Sequence, residues 1–407
     1  MMNEINKCEV CGNNNLKSAL NLGMHPMCDD LVPVGDLRIC KEYPIEILYC
    51  NVCRTGHQKF QVPKEDLFPK SYHYRSRFTA DVLSGMSSLV DSCEEKFGNL
   101  NKKLILDIGC NDGSLLDFFE TKGAVTIGIE PTGASEDAEE KGHKVYSDYL
   151  SENLATKFLE TYGHPDIITF TNVFAHIENL AGVLDSLAIL GDKNTKIVIE
   201  NHYLGAVLDR NQFDTFYHEH PRTYSYTSFK YMAKTLGIDL ECVEFPSRYG
   251  GNIRVFMGEG SEINNPLSLE KLDRKESLFE GQFIDLNNNI DKWLVSKNAV
   301  LNTLFQEHGK FPAKAFPGRS AILVKMLNVN EDMISAVYEK PGSLKIDHYV
   351  PGTRIPILSD DDLLSNSDLN KPLLNLAWHI SEEINKYLKG SEYSGPIIDI
   401  LDNNDFA

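Results

Sequence analysis

Two histidines, a glutamate and a tyrosine occupy four consecutive residues, Tyr217-His218-Glu219-His220, directly after Phe213-Asp214-Thr215-Phe216. The set offers a base, an orienting carboxylate and a hydroxyl. A neutral imidazole, with an ordinary pKa of about 6.5, accepts a proton near neutrality. The same residue types also serve a second metal site or a solvated polar loop. On an extended segment His218 and His220 would share a face, with Glu219 opposite; on a helix they would diverge. Spacing alone leaves open which histidine faces a pocket.

Leu104-Ile105-Leu106-Asp107-Ile108-Gly109-Cys110-Asn111-Asp112-Gly113-Ser114 reads as an apolar strand, a glycine turn and a helix start. The glycines admit a ligand where a β-carbon would collide. The spacing is neither G-x-G-x-x-G nor a Gly-Lys-Ser/Thr phosphate loop, which argues against a dinucleotide or a triphosphate. Glu130 closes the second strand, where it can accept both hydroxyls of a ribose. Asp148 follows the third apolar run and is placed to take an adenine amino group. Asn172-Val173-Phe174-Ala175-His176-Ile177 follows the fourth strand and should border the far end of the ligand. The reading is S-adenosylmethionine, with NAD as the competing cofactor.

Cys8-Glu9-Val10-Cys11 and Cys50-Asn51-Val52-Cys53 form two C-x-x-C pairs, and six of the nine cysteines fall within the first 53 residues. Two such pairs complete a tetrahedral zinc site, and four thiolates leave no open position, so the metal should be structural. Neither pair has the strand-to-helix context of a redox dithiol. Cys28, Cys40, His25 and His57 are reserve donors, and Cys93, Cys110 and Cys242 read as buried thiols.

The elements that must position these groups fall into three regions: a zinc module over 1–70, an α/β domain over 71–262, and a long helix with a smaller α/β domain over 263–407. The middle region alternates strands at Lys103–Ile108, Val125–Ile129, Ile167–Thr171, Lys196–Glu200 and Asn252–Met257 with helices after the first four, the pattern of a mainly parallel sheet. Leu267 to Gln306 reads as one long polar-faced helix. Apolar runs at Ala321–Met326, Met333–Val337 and Ile397–Leu401, with a helix near Leu373–Leu388, suggest the second α/β unit. No short-period repeat or low-complexity tract is present. The composition is globular, at 42% hydrophobic and 24% charged residues. The net charge of −19 disfavours a nucleic-acid partner, which needs clustered Lys and Arg. No apolar run suits a membrane span. The polar first residues carry no secretory pattern, so a cytoplasmic monomer or homodimer is expected.

Taken in order, C-x-x-C, C-x-x-C, Leu106-Asp107-Ile108-Gly109-Cys110-Asn111-Asp112-Gly113, Asn172-Val173-x-Ala175-His176-Ile177 and Tyr217-His218-Glu219-His220 resemble the sugar C-methyltransferases. These are S-adenosylmethionine-dependent nucleotide-sugar C-3 methyltransferases with an N-terminal zinc-binding domain. Tyr72-His73-Tyr74-Arg75-Ser76 looks like the tyrosine-rich segment after the family's zinc module. Tyr249-Gly250-Gly251-Asn252-Ile253-Arg254 looks like its glycine-glycine-x-x-arginine strand. Pro351-Gly352-Thr353-x-Ile355-Pro356 and Leu376-Ala377-Trp378 look like parts of its C-terminal domain. Phe316-Pro317-Gly318-Arg319-Ser320 and His379 depart from that domain's pattern.

The resemblance implies a Rossmann-like class I methyltransferase domain between a zinc module and a C-terminal α/β substrate-binding domain. It implies His220 as the base at C-3 of a nucleotide-linked 4-keto sugar, with Tyr217, Glu219 and His176 lining the pocket. It further implies a cofactor site of Asp107, Gly109, Asn111, Gly113, Glu130, Asp148 and Asn172. Substrate contacts would come from Tyr72, Tyr74, Ser76 and Arg254, and the zinc ligands would be Cys8, Cys11, Cys50 and Cys53. A sugar or small-molecule O-methyltransferase is the alternative. A non-catalytic cofactor scaffold would have no use for so strong a set of bases, and net charge counts against an RNA methyltransferase.

Overall fold

A computed structural model describes residues 2–67, 74–247, 251–259, 266–365, 369–391 and 393–406. The chain divides into two units. Met1–Ser18, Leu48–Val207 and Glu219–Glu280 make the first, and Ala19–Ile47, Leu208–His218 and Gly281–Ala407 the second.

Near the N-terminus, β1 (Glu42–Cys50) and β2 (Thr55–Gln58) flank the second cysteine pair. Then α1 (Ala80–Phe97) presents Val82, Met86, Leu89, Val90 and Cys93 as one buried face, a spacing of three to four residues. Strands and helices alternate after it: β3 (Leu104–Ile108), α2 (Ser114–Thr121), β4 (Val125–Ile129), α3 (Ala134–Glu140), β5 (Lys144–Tyr146), α4 (Glu152–Tyr162), β6 (Ile167–Thr171), α5 (Leu180–Leu190), β7 (Lys196–His202) and α6 (Leu204–Asp209). The unit is completed by β8 (Arg222–Thr223), α7 (Tyr226–Leu236), β9 (Asp239–Glu244) and β10 (Asn252–Gly258), with α8 (Pro266–Glu276) following.

The seven-stranded sheet has the order β9-β10-β7-β6-β3-β4-β5. Its central pairs are parallel, whereas β10 runs antiparallel to both β7 and β9. Strands buried on both faces are near-continuous apolar runs, which is why Leu104 to Ile108 and Ile167 to Phe170, each with a single polar residue, were legible. The five expected strands form, with some ends shifted by one or two residues.

In the second unit α9 (Phe279–His308) carries Trp293, buried against Phe213 with ring centroids 5.1 Å apart. Trp293 Nε1 donates to the Ile400 carbonyl at 2.9 Å. Then follow β11 (Phe311–Lys314), α10 (Ser320–Met326), β12 (Ile334–Glu339), β13 (Ile357–Ser359), α11 (Asp360–Ser365), β14 (Leu373–Asn375), α12 (Ser381–Gly390) and β15 (Ile397–Asp399). They build a five-stranded sheet of order β13-β12-β11-β14-β15, and every pair is parallel.

Two expectations are corrected. The single helix expected over Leu267 to Gln306 is two, α8 and α9, interrupted at Ser277 and Leu278. At the end of α8 the Glu276 carboxylate bonds the first turn of α7, accepting from the amides of Tyr226 at 2.8 Å and Thr227 at 2.9 Å. The helix expected near Leu373–Leu388 begins as strand β14, and only from Ser381 is it α-helical. Among the described residues no helix is long and apolar enough to cross a membrane.

Candidate active site and metal centre

In a doubly wound sheet, ligands bind beyond the carboxyl ends of the strands where the order reverses, here between β3 and β6. The turn after β3 is built for close approach. Gly109 and Gly113 have φ of 72° and 75°, and a β-carbon on them would sit 2.5 Å from Val173 Cγ2 and 2.6 Å from His143 Cδ2. Asn111 and Asn172 are also left-handed, at φ 52° and 54°, a conformation asparagine tolerates better than most residues. Glu130, buried at the end of β4, accepts from the Asn111 amide at 3.0 Å and from the Thr132 hydroxyl at 2.6 Å. Burial pushes the Asp107 carboxyl up to about 7; a 2.7 Å bond from the Thr169 hydroxyl opposes the shift and the Glu130 charge adds to it. Thr171 Oγ1, at the end of β6, is buried with no partner among the described residues. A positive-φ cradle, a buried carboxylate at a strand end and an orphaned hydroxyl fit a nucleoside bearing a small zwitterion. Asp148 lies at the surface, bonded to the Tyr149 amide.

The Tyr74 to Phe78 segment lies against this turn. The Ser76 amide donates to Asn111 Oδ1 at 3.0 Å, and Asn111 Nδ2 donates to the Tyr74 carbonyl at 3.3 Å. Two residues expected to touch substrate, Tyr74 and Ser76, therefore adjoin the cofactor turn. Tyr72 lies outside the described residues.

His220 and Glu219 are buried, and His220 lies between two further imidazoles. Its ring centroid is 4.7 Å from that of His176 and 5.4 Å from that of His202, the last residue of β7. His176 Nδ1 is 2.7 Å from the Glu219 carbonyl. A carbonyl only accepts, so Nδ1 carries a proton. Burial pulls the His176 pKa down to about 4, which keeps it neutral at physiological pH. His218 has other partners: Nε2 is 3.1 Å from the Tyr43 carbonyl, and its ring meets the Tyr43 ring edge-on. Tyr217 is half-buried in the second unit. The segment is a turn, neither the strand nor the helix considered from the spacing, and so the two histidines part company.

The thiol sulfurs of Cys8, Cys11, Cys50 and Cys53 all lie within 4.8 Å of one another, and the four are reduced. Cys8 and Cys53 are 3.3 Å apart, Cys11 and Cys50 3.6 Å. Each pair ends in a left-handed residue, Gly12 at φ 74° and Arg54 at φ 60°, which folds the chain back around the sulfurs. Hydrogen bonds from Cys53 and Cys8 lower the Cys50 pKa, whereas Cys8 is pushed up to about 12 chiefly by its bond to Cys50. Sulfurs so close cannot all ionise beside one another without a cation, and four thiolates suit tetrahedral zinc.

Three family models match consecutive stretches: a zinc binding domain over 8–68, a methyltransferase domain over 73–243 and a C-methyltransferase C-terminal domain over 247–397. The three matches follow one another along most of the chain. The protein is an S-adenosylmethionine-dependent methyltransferase with a zinc-binding domain. The C-methyltransferase NovU of Streptomyces niveus is 22% identical over 387 residues, 93% of this chain and 91% of that protein. Similar solved structures include magnesium protoporphyrin IX methyltransferase from Synechocystis with bound SAM, 16% identical over 44% of this chain and 80% of that one, with a TM-score of 0.34. Another is the PH0226 protein of Pyrococcus horikoshii, 14% identical over 48% of this chain and 98% of that one, with a TM-score of 0.36.

Within the methyltransferase, Arg254 is a strut of the sheet. It is fully buried on β10, its Nε donates to Glu200 at 2.7 Å, and its Nη1 donates to Glu244 and the Ser92 hydroxyl at 2.9 Å each. The substrate contact expected of it is left to Nη2 alone, which has no partner among the described residues. Residues not singled out from the sequence join the site: His202 beside His220, and Asn252, whose Nδ2 donates to Asn172 Oδ1 at 3.2 Å. Glu9 and Arg222 form a partly buried ion pair at 2.6 Å; against the upward push of burial, the His57 ring, Arg222 and Gln61 hold the Glu9 pKa down at about 2. The position of Glu9 inside a C-x-x-C pair and of Arg222 two residues past His220 was the only sequence signal for them.

Proposed function

We propose that this methyltransferase adds a methyl group to carbon 3 of a nucleotide-linked 4-keto sugar through an enolate, with His220 as the base. The observation that carries the reading is the placing of His220 against His176, whose proton is fixed on Nδ1 by the Glu219 carbonyl. A ketone acidifies the neighbouring C–H. His220 takes that proton as the C-3–H bond breaks, and the electron pair moves toward the ketone oxygen. His176, held neutral, adds no positive charge that would raise the cost of protonating its neighbour. Tyr217 supplies a hydroxyl to the enolate oxygen or to the sugar. S-adenosylmethionine supplies the electrophilic methyl, with Glu130 at its ribose and the Gly109 to Gly113 turn along its methionine portion. Cys8, Cys11, Cys50 and Cys53 would hold the zinc.

The test follows deuterium into C-3 of the keto sugar in heavy water with S-adenosylhomocysteine bound. Wild type is expected to exchange. His220→Asn is expected to lose about 10²–10⁴-fold in exchange and turnover at unchanged cofactor affinity. A mutant that exchanges like wild type removes His220 as the base. Methylation of an oxygen by a wild type that never exchanges favours the O-methyltransferase reading.

A further inference from the structure

Arg222 is fully buried, and its guanidinium binds three separate segments of the first unit. Nη1 donates to Glu9 Oε2 at 2.6 Å, and Nε donates to the Tyr224 hydroxyl at 2.9 Å. Nη2 donates to the carbonyls of Ile177 and Glu178, the second at 3.2 Å. Glu9 is the second residue of the first cysteine pair, and Ile177 follows His176 directly. Glu9 is clamped from its other side by Gln61 Nε2 at 2.9 Å, with His57 Nδ1 at 3.6 Å.

A C-x-x-C loop does not need this. The thiolates and the backbone turn suffice to hold a metal, and the carboxylate is no member of the sulfur cluster. The corresponding residue of the second pair, Asn51, carries no such ion pair among the described residues. Burying a guanidinium fully and its carboxylate partner for the most part is costly unless both are satisfied, as they are here. The planar fork of arginine fixes direction as well as charge, so a shift of Glu9 turns the whole guanidinium. Its far nitrogen holds the carbonyls that set the path of the His176 loop. The second cysteine pair is tied to the same region: the Cys53 carbonyl accepts from the hydroxyls of Ser225 at 3.3 Å and Ser228 at 3.2 Å, at the start of α7.

We propose that Glu9 and Arg222 are positioning residues for methyl transfer, carrying the placement of the zinc-binding loop to the His176 ring and so to its packing against His220. This rests on the reading that His176 and His220 border the reacting carbon. The zinc domain then serves the rate of the reaction as well as its own folding.

The test is Glu9→Gln in the full-length, zinc-loaded enzyme, because glutamine keeps the shape and one acceptor and removes the charge. Metal content, calorimetric affinity for S-adenosylmethionine, kcat and KM with a thymidine-diphosphate 4-keto-deoxysugar, and C-3 exchange are read together. The expected result is full zinc occupancy, cofactor affinity and KM close to wild type, and kcat and exchange lower by about 10–100-fold, the scale of a misplaced catalytic group. A folded, zinc-loaded Glu9→Gln with wild-type kcat overturns the proposal, as does a loss that appears in KM and cofactor affinity alone. If that variant does not fold, Gln61→Leu loosens the clamp and leaves the ion pair, and is expected to lower kcat less at unchanged KM; an unchanged kcat there is equally fatal. Wild type that fails to exchange C-3 overturns the reading of the reaction. Wild type that exchanges beside a Glu9→Gln that exchanges equally fast overturns only the positioning role.

Discussion

At the reversal point of the seven-stranded sheet the turn is made of two glycines at positive φ, two left-handed asparagines and a carboxylate that bonds backbone and a neighbouring threonine. At the corresponding point of the five-stranded sheet the space is occupied by side chains. Arg319, just past β11, makes two bonds to the buried Asp214 at 2.8 and 2.7 Å. Trp378, just past β14, donates its indole N–H to the same carboxylate at 2.9 Å and lies 5.4 Å from the Arg319 guanidinium. Both sheets have the 3-2-1-4-5 order that opens a crevice at the reversal. The order licenses a crevice, and the residues of the first turn decide whether a small molecule or a protein side chain fills it.

The largest effect expected from breaking that contrast is on stability. Asp214→Ala leaves Arg319 buried without its partner and should destabilise the second unit by about 3–5 kcal/mol. Urea unfolding would show this, with S-adenosylmethionine affinity unchanged; a loss of affinity would mean the two crevices are not independent. Next comes crowding the glycine turn. Gly109→Val meets Val173 and a forbidden φ, and should weaken cofactor binding by about 2–3 kcal/mol by calorimetry. A smaller change follows from Glu130→Ala, roughly tenfold in the same affinity through loss of a charge-assisted bond. The mildest is Gly318→Ala in the second turn, where φ is ordinary and the nearest atom is 3.2 Å away. The neighbours must give by a few tenths of an ångström, so it should move stability by about 1 kcal/mol or less and leave cofactor affinity alone.

The first sheet was legible because its strands are apolar runs of five or so residues, separated by helix-length segments and closed by glycine or an acidic residue. The second was harder to read. Pro312 sits inside β11 and argues against a strand, yet the pairing with β12 shifts register between Phe311 and Ala313, and a bulge tolerates a residue without an N–H. Strand β14 is three residues long and runs almost directly into a helical pattern, so periodicity could not separate them. In the site, the type of chemistry could be read from Tyr217 to His220, but the direction of each imidazole could not, because a turn has no fixed period. Glu9 and Arg222 are 213 residues apart, and no local pattern couples them. Only folding brings the first cysteine pair beside the loop that follows β6.

The packing of Trp293 and Trp378 has an optical consequence. They are the chain's two tryptophans, and both belong to the second unit. Indole emission excited apart from tyrosine therefore reports on that unit and is silent about the zinc loop and the cofactor turn. Trp293 is sealed among apolar neighbours and should emit toward the blue, whereas Trp378 sits against a guanidinium and a carboxylate that perturb its excited state. A quencher titration would resolve the two dyes, and a tryptophan introduced near Val173 would give the cofactor site a signal of its own.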